Sequence, residues 1–371
     1  MVRRALFILL LLPALLQAAP IKVVCWNLEW FPGGKPGAKS AEQREHMKKA
    51  QAALALLNPD ILCLQEVKDW KAVKELTSVI PGMNVQVVSR FKGDQQQAIA
   101  SKFPADSSWA EEWKSNKGVE PPRGFSFAAI RLPNNAGTLL TYSVHLKANG
   151  RSALEGNIAK REESAYQLIA HAAEMQKIYG AQGPVGFLIT GDMNTNFDPG
   201  EFSHEKTLRY MVASGLRSTW EGVPFAQRQT HPASEGFPPV TFDHILTAGL
   251  HDVSNSIGNV IARLGDAPDV SDHLPVIISF NSPVALSATL NPAATVPDPA
   301  AAVAAAPTDA AASVEAKEIA PATENAPDGE KGGGTSVTTV GGSITLQEPT
   351  IDFDVPGKDA KEDPVPEPVT E

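Results

Sequence analysis

Between Ile21 and Phe280 the chain is punctuated by short runs of β-branched and apolar residues, and several of these runs stop abruptly on a polar or charged side chain. Ile21 to Trp26 stops on Asn27, Ile61 to Leu64 on Gln65-Glu66, Thr138 to Val144 on His145, and Gly186 to Thr190 on Gly191-Asp192. Apolar runs of this length, bounded by turn-forming residues, read as buried strands. A strand holds its last side chain rigidly while the loop beyond it opens to substrate, so chemistry is expected at these strand ends.

Helical patterns separate the strands. Ser40-Ala41-Glu42-Gln43 has the form of a capping box, with Ser40 as cap and a helix running to Leu57, where Asn58-Pro59-Asp60 stops it. Asp69 is placed to cap a helix through Val79 that ends at Pro81-Gly82. Strands are expected over Asn84–Ser89, Gln97–Ser101, Phe125–Leu132 and Thr138–His145, the last two joined by a hairpin loop at 133–137. A long helix over Leu154–Tyr179 follows, then a strand over Gly186–Thr190 and a helix over His204–Ser214. The last strands are Val240–Leu246 and Pro275–Phe280. Strands outnumber helices and do not alternate regularly with them, which suits an α+β sandwich of two sheets with helices outside rather than a doubly wound parallel sheet.

The two ends have a different character. Arg3 and Arg4 precede an apolar run over Ala5–Leu16, too short to span a bilayer and suited to a signal peptide over residues 1–19. The expected location is secreted, periplasmic or cell-surface, with no stable membrane insertion after cleavage. From residue 283 to 371 the chain is rich in Ala, Pro, Thr, Gly and acid, and has too few large apolar side chains to offset the entropy of ordering a backbone. This segment is expected to be a disordered tail, leaving residues 20–282 as one catalytic domain. The tail holds 15 acidic residues against 4 lysines, so the net charge of −10 belongs to it and residues 1–282 sum to +1. The acidic balance therefore does not exclude a nucleic-acid partner. The two cysteines, Cys25 and Cys63, lie in apolar runs and read as small buried residues, though an exported chain could pair them.

Five clusters carry candidate chemistry. Asn27 closes the first strand. Glu66 follows four apolar residues and one amide, a poor place for a carboxylate unless it is paired, protonated or metal-bound. His145 shares a strand face with Ser143. Asp192 and Asn194, two apart after Gly191, can face one cavity. Asp243-His244 and Asp272-His273 complete the set. Asn27, Glu66 and Asp272 are oxygen ligands suited to Mg²⁺ or Mn²⁺ rather than Zn²⁺. No Cys/His zinc spacing, phosphate-cradling Gly-rich loop, Gly-x-Ser-x-Gly elbow or dinucleotide fingerprint competes.

The order of the motifs resembles the endonuclease/exonuclease/phosphatase superfamily: Trp26-Asn27, Leu64-Gln65-Glu66, Ser143 to Lys147, Gly191-Asp192-Met193-Asn194, Phe242-Asp243-His244 and Ser271 to Pro275. Ala98 to Pro104 resembles a further strand of that family. The resemblance implies a deoxyribonuclease-I-like, four-layer α/β/β/α sandwich. It also implies roles. Glu66 would be the main metal ligand, with Asn27 and Asp272 at the same ion. Asp192 would orient or deprotonate the attacking water, and Asn194 and His145 would bind the scissile phosphate. His273 would be a phosphate ligand or proton donor, with Asp243 fixing its tautomer and raising its pKa. Thr241-Phe242 departs from the usual pair before Asp243, and His244, where many members have Tyr, reads as packing.

The expected function is metal-dependent phosphodiester hydrolysis of DNA or RNA by a monomer. The alternative is a phosphatase or phospholipase acting on small or lipid phosphoesters, as sphingomyelinases and inositol-phosphate phosphatases do. Arg90-Phe91-Lys92, Lys114 to Lys117, Arg123 and Lys147 to Arg151 are candidate phosphate contacts. Trp109 and Trp113, four apart, read as packing on a helix.

Overall fold

A computed structural model describes residues 19–149, 154–198, 200, 202–233, 237–257, 270–281 and 289–296. The expected signal segment, except for residue 19, and the tail beyond 296 lie outside the described residues. Two six-stranded sheets form the body. The first contains β1 (Ile21–Phe31), β2 (Ile61–Val67), β3 (Asn84–Val88), β4 (Gln96–Ser101), β11 (His251–Ile257) and β12 (Val276–Asn281), in the order β11-β12-β1-β2-β4-β3. The second contains β5 (Ala105–Glu112), β6 (Gly124–Arg131), β7 (Thr138–His145), β8 (Val185–Asp192), β9 (Arg217–Ser218) and β10 (Asp243–Ala248), in the order β5-β6-β7-β8-β10-β9.

Each sheet has one parallel pair at its centre, β1 with β2 and β7 with β8, and antiparallel neighbours elsewhere. A parallel pair needs a long crossover. Helix α1 (Ser40–Leu57) supplies the first and α3 (Leu154–Gly180) the second, while α2 (Trp70–Thr77) follows β2 and α4 (Thr207–Ala213) precedes β9.

Alternation along the strands sends side chains into three cores. In β1, Val24 and Trp26 join Leu54 of α1 and Val73 of α2, whereas Val23 and Cys25 face the other sheet with Ile99, Leu188, Ile245 and Ile278. On the far side, Tyr142 and Phe187 pack against Leu168 and Ile169 of α3. The central strands are therefore covered on both faces, which is why they read as unbroken apolar runs. Cys25 and Cys63, partners across the parallel pair, are free and buried.

Four sequence expectations are corrected. Helix α1 begins one residue earlier than expected: Lys39 is its cap, and Glu42, not Gln43, reaches back to accept from the Lys39 amide at 2.6 Å. Asp69 does cap α2, accepting from Ala72 N at 2.8 Å, but that helix stops at Thr77. Trp109 lies in β5 and not in a helix; it packs on Phe127 with ring centroids 4.4 Å apart, and Trp113 packs on Phe125 just beyond the strand. The domain also does not end at 282. Residues 289–296 run along α3 and α4, where Leu290 is buried, Asn291 N donates to Ser214 O at 2.9 Å and Tyr210 Oη donates to Pro292 O at 2.8 Å. One well-placed leucine docks a stretch whose average composition is too polar to fold alone.

Candidate active site

The topology brings the polar strand ends together. Because β1 and β2 run parallel, Asn27 and Gln65 are register partners at one end of the first sheet, with Glu66 next. In the second sheet His145 pairs with Asp192, and antiparallel β10 begins at Asp243 opposite Asp192. The loop leading into β12 carries Asp272 and His273 to the same end. It is pinned there by Trp26 Nε1, which donates to His273 O at 2.9 Å, and by Ser271 Oγ, which donates to Asn27 O at 2.7 Å. Directly beneath, Gln65 Nε2 donates to Ser143 Oγ at 2.9 Å and Ser143 Oγ to Leu64 O at 3.1 Å, tying the sheets together below the site.

Backbone strain concentrates here. Glu29, Trp30, Glu66 and Asn194 all have positive φ, between 46° and 59°. Non-glycine residues rarely adopt this region, and such conformations cluster where surrounding contacts fix them for function. The strain at Glu29 and Trp30 accompanies an irregularity in the β1–β2 register between Asn27 and Phe31. It turns Glu29 N onto Asn27 Oδ1 at 3.1 Å and Trp30 N onto Glu66 Oε2 at 3.0 Å.

All eight residues expected from sequence reach this one region, in two linked groups. In the first, Asn27 Nδ2 bridges two carboxylates, donating to Glu66 Oε1 at 3.2 Å and Asp192 Oδ2 at 3.0 Å. His145 Nε2 lies 3.8 Å from Glu66 Oε1 and 3.6 Å from Asp192 Oδ2. Asp192 Oδ1 accepts from Asn194 N at 2.9 Å, which fixes the Asp-x-Asn turn, and Asn194 Nδ2 donates to Leu146 O. In the second, His273 Nδ1 donates to Asp243 Oδ2 at 2.7 Å. Its Nε2 faces Asp192 Oδ2 at 3.8 Å and Asp272 Oδ1 at 3.9 Å. Asp272 is the open member, its side chain 46% exposed, whereas Asp192, Asp243 and His145 are buried.

These environments set the charges. Burial pushes His145 well below the usual imidazole range, and the nearby Arg123 and His273 push the same way, so it is neutral. Burial raises Asp192 to about 7; His273 opposes this, and the carboxylates of Asp243 and Glu66 add to it. Burial alone would lower His273, but Asp243, Asp192 and Asp272 together raise it to about 10, so its imidazolium is held in a cage of carboxylates.

Two site residues escaped the sequence reading. Glu29 accepts from Asp272 N at 3.3 Å, and its carboxyl is raised by burial and then by repulsion from Asp272 and Glu66. The signal was its place two residues after Asn27. His231 lies 3.7 Å from Asp272 Oδ2 and edge-on to His273, from a stretch with no apolar pattern to mark it. Arg123, expected as a phosphate contact, instead donates to the carbonyls of His145 and Leu146 at 3.1 and 3.2 Å and so holds the end of β7. Gly191 is the penultimate residue of β8, where the neighbouring strand leaves no room for a side chain.

The donors fit a hard divalent cation. The carboxyl of Glu29 lies near enough to Asp272 and Glu66 to be raised by both, and the Asn27 amide donates to Glu66. Such a set favours Mg²⁺ or Mn²⁺ and has no thiolate.

Comparison with known proteins agrees with this geometry. The Endonuclease/Exonuclease/phosphatase family matches residues 24–273. No curated protein matches the chain in sequence. Among solved structures, the human Nocturnin catalytic domain with bound sulfate anion is 18% identical, covering 72% of this chain and 95% of that one, with a TM-score of 0.53. Truncated TDP2 of Caenorhabditis elegans is also 18% identical, covering 72% and 99%, with a TM-score of 0.50. TDP2 of D. rerio complexed with single-strand DNA product is 17% identical, covering 71% and 99%, also at 0.50. At these identities the likeness is one of fold, and it is the two-sheet deoxyribonuclease-I-like sandwich.

Proposed function

Because the chain belongs to the Endonuclease/Exonuclease/phosphatase family, whose members are phosphoesterases, we propose that it is an exported, divalent-metal-dependent nuclease that hydrolyses the phosphodiester bonds of DNA or RNA. The observation that carries the step from phosphoesterase to nuclease is a groove of about 690 Å³ whose wall begins at Lys68, two residues beyond Glu66. Lys71 and Arg90 add positive charge to it beside Asp69, and Trp70 and Trp109 add aromatic surface. Cations that track phosphates, interleaved with rings that stack on bases, suit a single-stranded polynucleotide. The DNA product bound to the D. rerio TDP2 fold supports the same substrate class.

In this reading Glu66, Asn27 and Asp272 hold the ion, with Glu29 beside them. When bound, such an ion would neutralise charge on a phosphate oxygen and would stabilise the leaving alkoxide. Asp192, raised by burial, accepts a proton from the attacking water, with its carboxylate aimed by Asn194 N and Asn27 Nδ2. His273, held cationic by Asp243, places positive charge where the pentavalent transition state gains negative charge. Neutral His145, buried against Glu66 and Asp192, positions these carboxylates, and Asn194, its side chain held by Leu146 O, keeps the Asp192 loop in place.

The deciding experiment is cleavage of single-stranded DNA and nicking of supercoiled plasmid with Mg²⁺, with EDTA, and beside Glu66→Ala and Asp192→Ala. Metal-dependent cleavage, lost in both variants, is expected. A folded protein that cuts neither DNA but hydrolyses sphingomyelin or an inositol phosphate would replace the nuclease with a lipid or small-ester phosphoesterase.

A further inference from the structure

Opposite the Glu66 group, three side chains from two separate loops converge on a point that the hydrolytic scheme uses only in part. His231, brought there by its bridge to Val240, presents Nε2 at 3.7 Å from Asp272 Oδ2. His273 presents its own Nε2 at 3.9 Å from Asp272 Oδ1. One ligand atom from each of the three lies within 4.8 Å of the others.

The tautomers are set by the partners behind the rings. His273 Nδ1 faces the Asp243 carboxylate at 2.7 Å, and His231 Nδ1 faces the Pro232 carbonyl at 3.1 Å. Both partners only accept, so each Nδ1 carries the hydrogen and each Nε2 is the atom free to bind. A carboxylate or carbonyl behind a ring is the arrangement that orients metal-binding histidines and raises their basicity. We propose that His231, Asp272 and His273 form a second cation site of the Zn²⁺ class, beside the oxygen-lined site at Glu66 and sharing Asp272 with it, with its fourth position open to water or a phosphate oxygen.

The spacing is close to what such an ion needs. Ligand atoms about 2.0–2.1 Å from a tetrahedral Zn²⁺ stand roughly 3.3 Å apart, so the two His–Asp separations must contract by about half an ångström and the His–His separation, within 4.8 Å, by up to about 1.5 Å. Two imidazoles and one carboxylate select a borderline-soft ion over Mg²⁺. Asp192 Oδ2 and Asp272 Oδ1 both face His273 Nε2, at 3.8 and 3.9 Å, and their negative charge favours a cation there. Exposure of Asp272 leaves the open side toward the cleft. The chain order hides this site, because His231 is far in sequence from Asp272 and His273.

The inference lies beside the proposed hydrolytic site, but its test needs no turnover. The full chain would be dialysed against Zn²⁺ with millimolar Mg²⁺ present to fill the oxygen-lined site, and bound zinc measured. Wild type and Glu66→Ala should each retain one Zn²⁺, whereas His231→Ala should bind at least tenfold more weakly. X-ray absorption of the wild-type zinc complex should show imidazole scattering from two rings, which keeps the test decisive if His231→Ala fails to fold. No zinc retained, zinc lost in Glu66→Ala but kept in His231→Ala, or an all-oxygen coordination shell would each overturn the proposal. A zinc-binding protein that fails to nick DNA would sink the nuclease reading and leave this one standing.

Discussion

His244 shows how one buried imidazole can govern acid stability without touching the chemistry. Its Nε2 donates to Thr195 O at 3.0 Å, and its Nδ1 is buried with no well-formed hydrogen bond. Burial lowers its pKa to about 4, against smaller upward pulls from the Thr195 carbonyl and Asp243. The unfolded chain takes up this proton near 6.5 and the folded chain only near 4, so the unfolded state binds more protons between those values. Stability therefore rises with pH across that window and is lost on acidification, by up to about 3 kcal/mol from this group. Urea melts at pH 7 and pH 4.5 should show a smaller difference for His244→Gln than for wild type; equal differences would place the acid sensitivity elsewhere. Asp243, the next residue back, governs charge rather than stability. Asp243→Asn keeps an acceptor near His273 Nδ1 but removes the largest of the pulls that hold the ring cationic. Turnover on a phosphodiester should fall about 10²-fold or more with circular dichroism unchanged.

The central strands impose a stricter requirement than any single side chain. Gly191 has φ 149°, and a Cβ there would stand 1.9 Å from Val144 O, so β7 and β8 can lie in register at His145 and Asp192 only without a side chain at that position. Gly191→Ala should cost about 3 kcal/mol or more and separate His145 from Asp192, visible as a lowered urea midpoint and lost activity. A second constraint ties α3 to the site. Arg161, fully buried, makes a bidentate pair with Glu205 at 2.8 and 2.6 Å and donates to Lys147 O and Asn149 Oδ1, while Asn149 Nδ2 donates to Asn194 O. Glu205→Gln leaves the guanidinium buried without its counter-charge and should destabilise by about 3–5 kcal/mol in equilibrium melts. What could be read from the sequence follows from this packing. β1, β2, β7 and β8 lie at the centres of their sheets, and their apolar runs announce them. β5, whose Ala-Asp-Ser-Ser-Trp-Ala-Glu-Glu is largely half-buried, and β11 are edge strands; their polar residues mask a β pattern. The eight expected site residues were readable because each ends or precedes a buried strand. Glu29 and His231 were not, since an irregular register and a loop bring them in.

At the level of the whole chain, the boundary of the folded unit is set by a few contacts that composition averages away. Leu290 is 4% exposed among the side chains covering α3 and α4, and Leu290 N donates to Gln176 Oε1 at 3.0 Å. Burying one leucine is worth about 1.5–3 kcal/mol, and the backbone bonds at Asn291 and Pro292 add to that. Helix α4 is short, and its Leu208, Tyr210 and Met211 share a core with Leu290, so this strap covers an element with little stability of its own. A chain ending at residue 281 should therefore unfold at lower urea than one ending at 296, by about 2–4 kcal/mol, whereas removing only the residues beyond 296 should leave both the melt and plasmid nicking unchanged. The comparison separates two properties that a single cut at 282 would confuse. The catalytic residues, all between Asn27 and His273, need nothing from the tail chemically. Through α3 and Arg161, however, the 289–296 strap supports the helix that holds the Asn194 loop. Lower nicking by the 281 chain should thus track its lower stability and recover on cooling; a loss that persists at full folding would give the strap a direct part in the site.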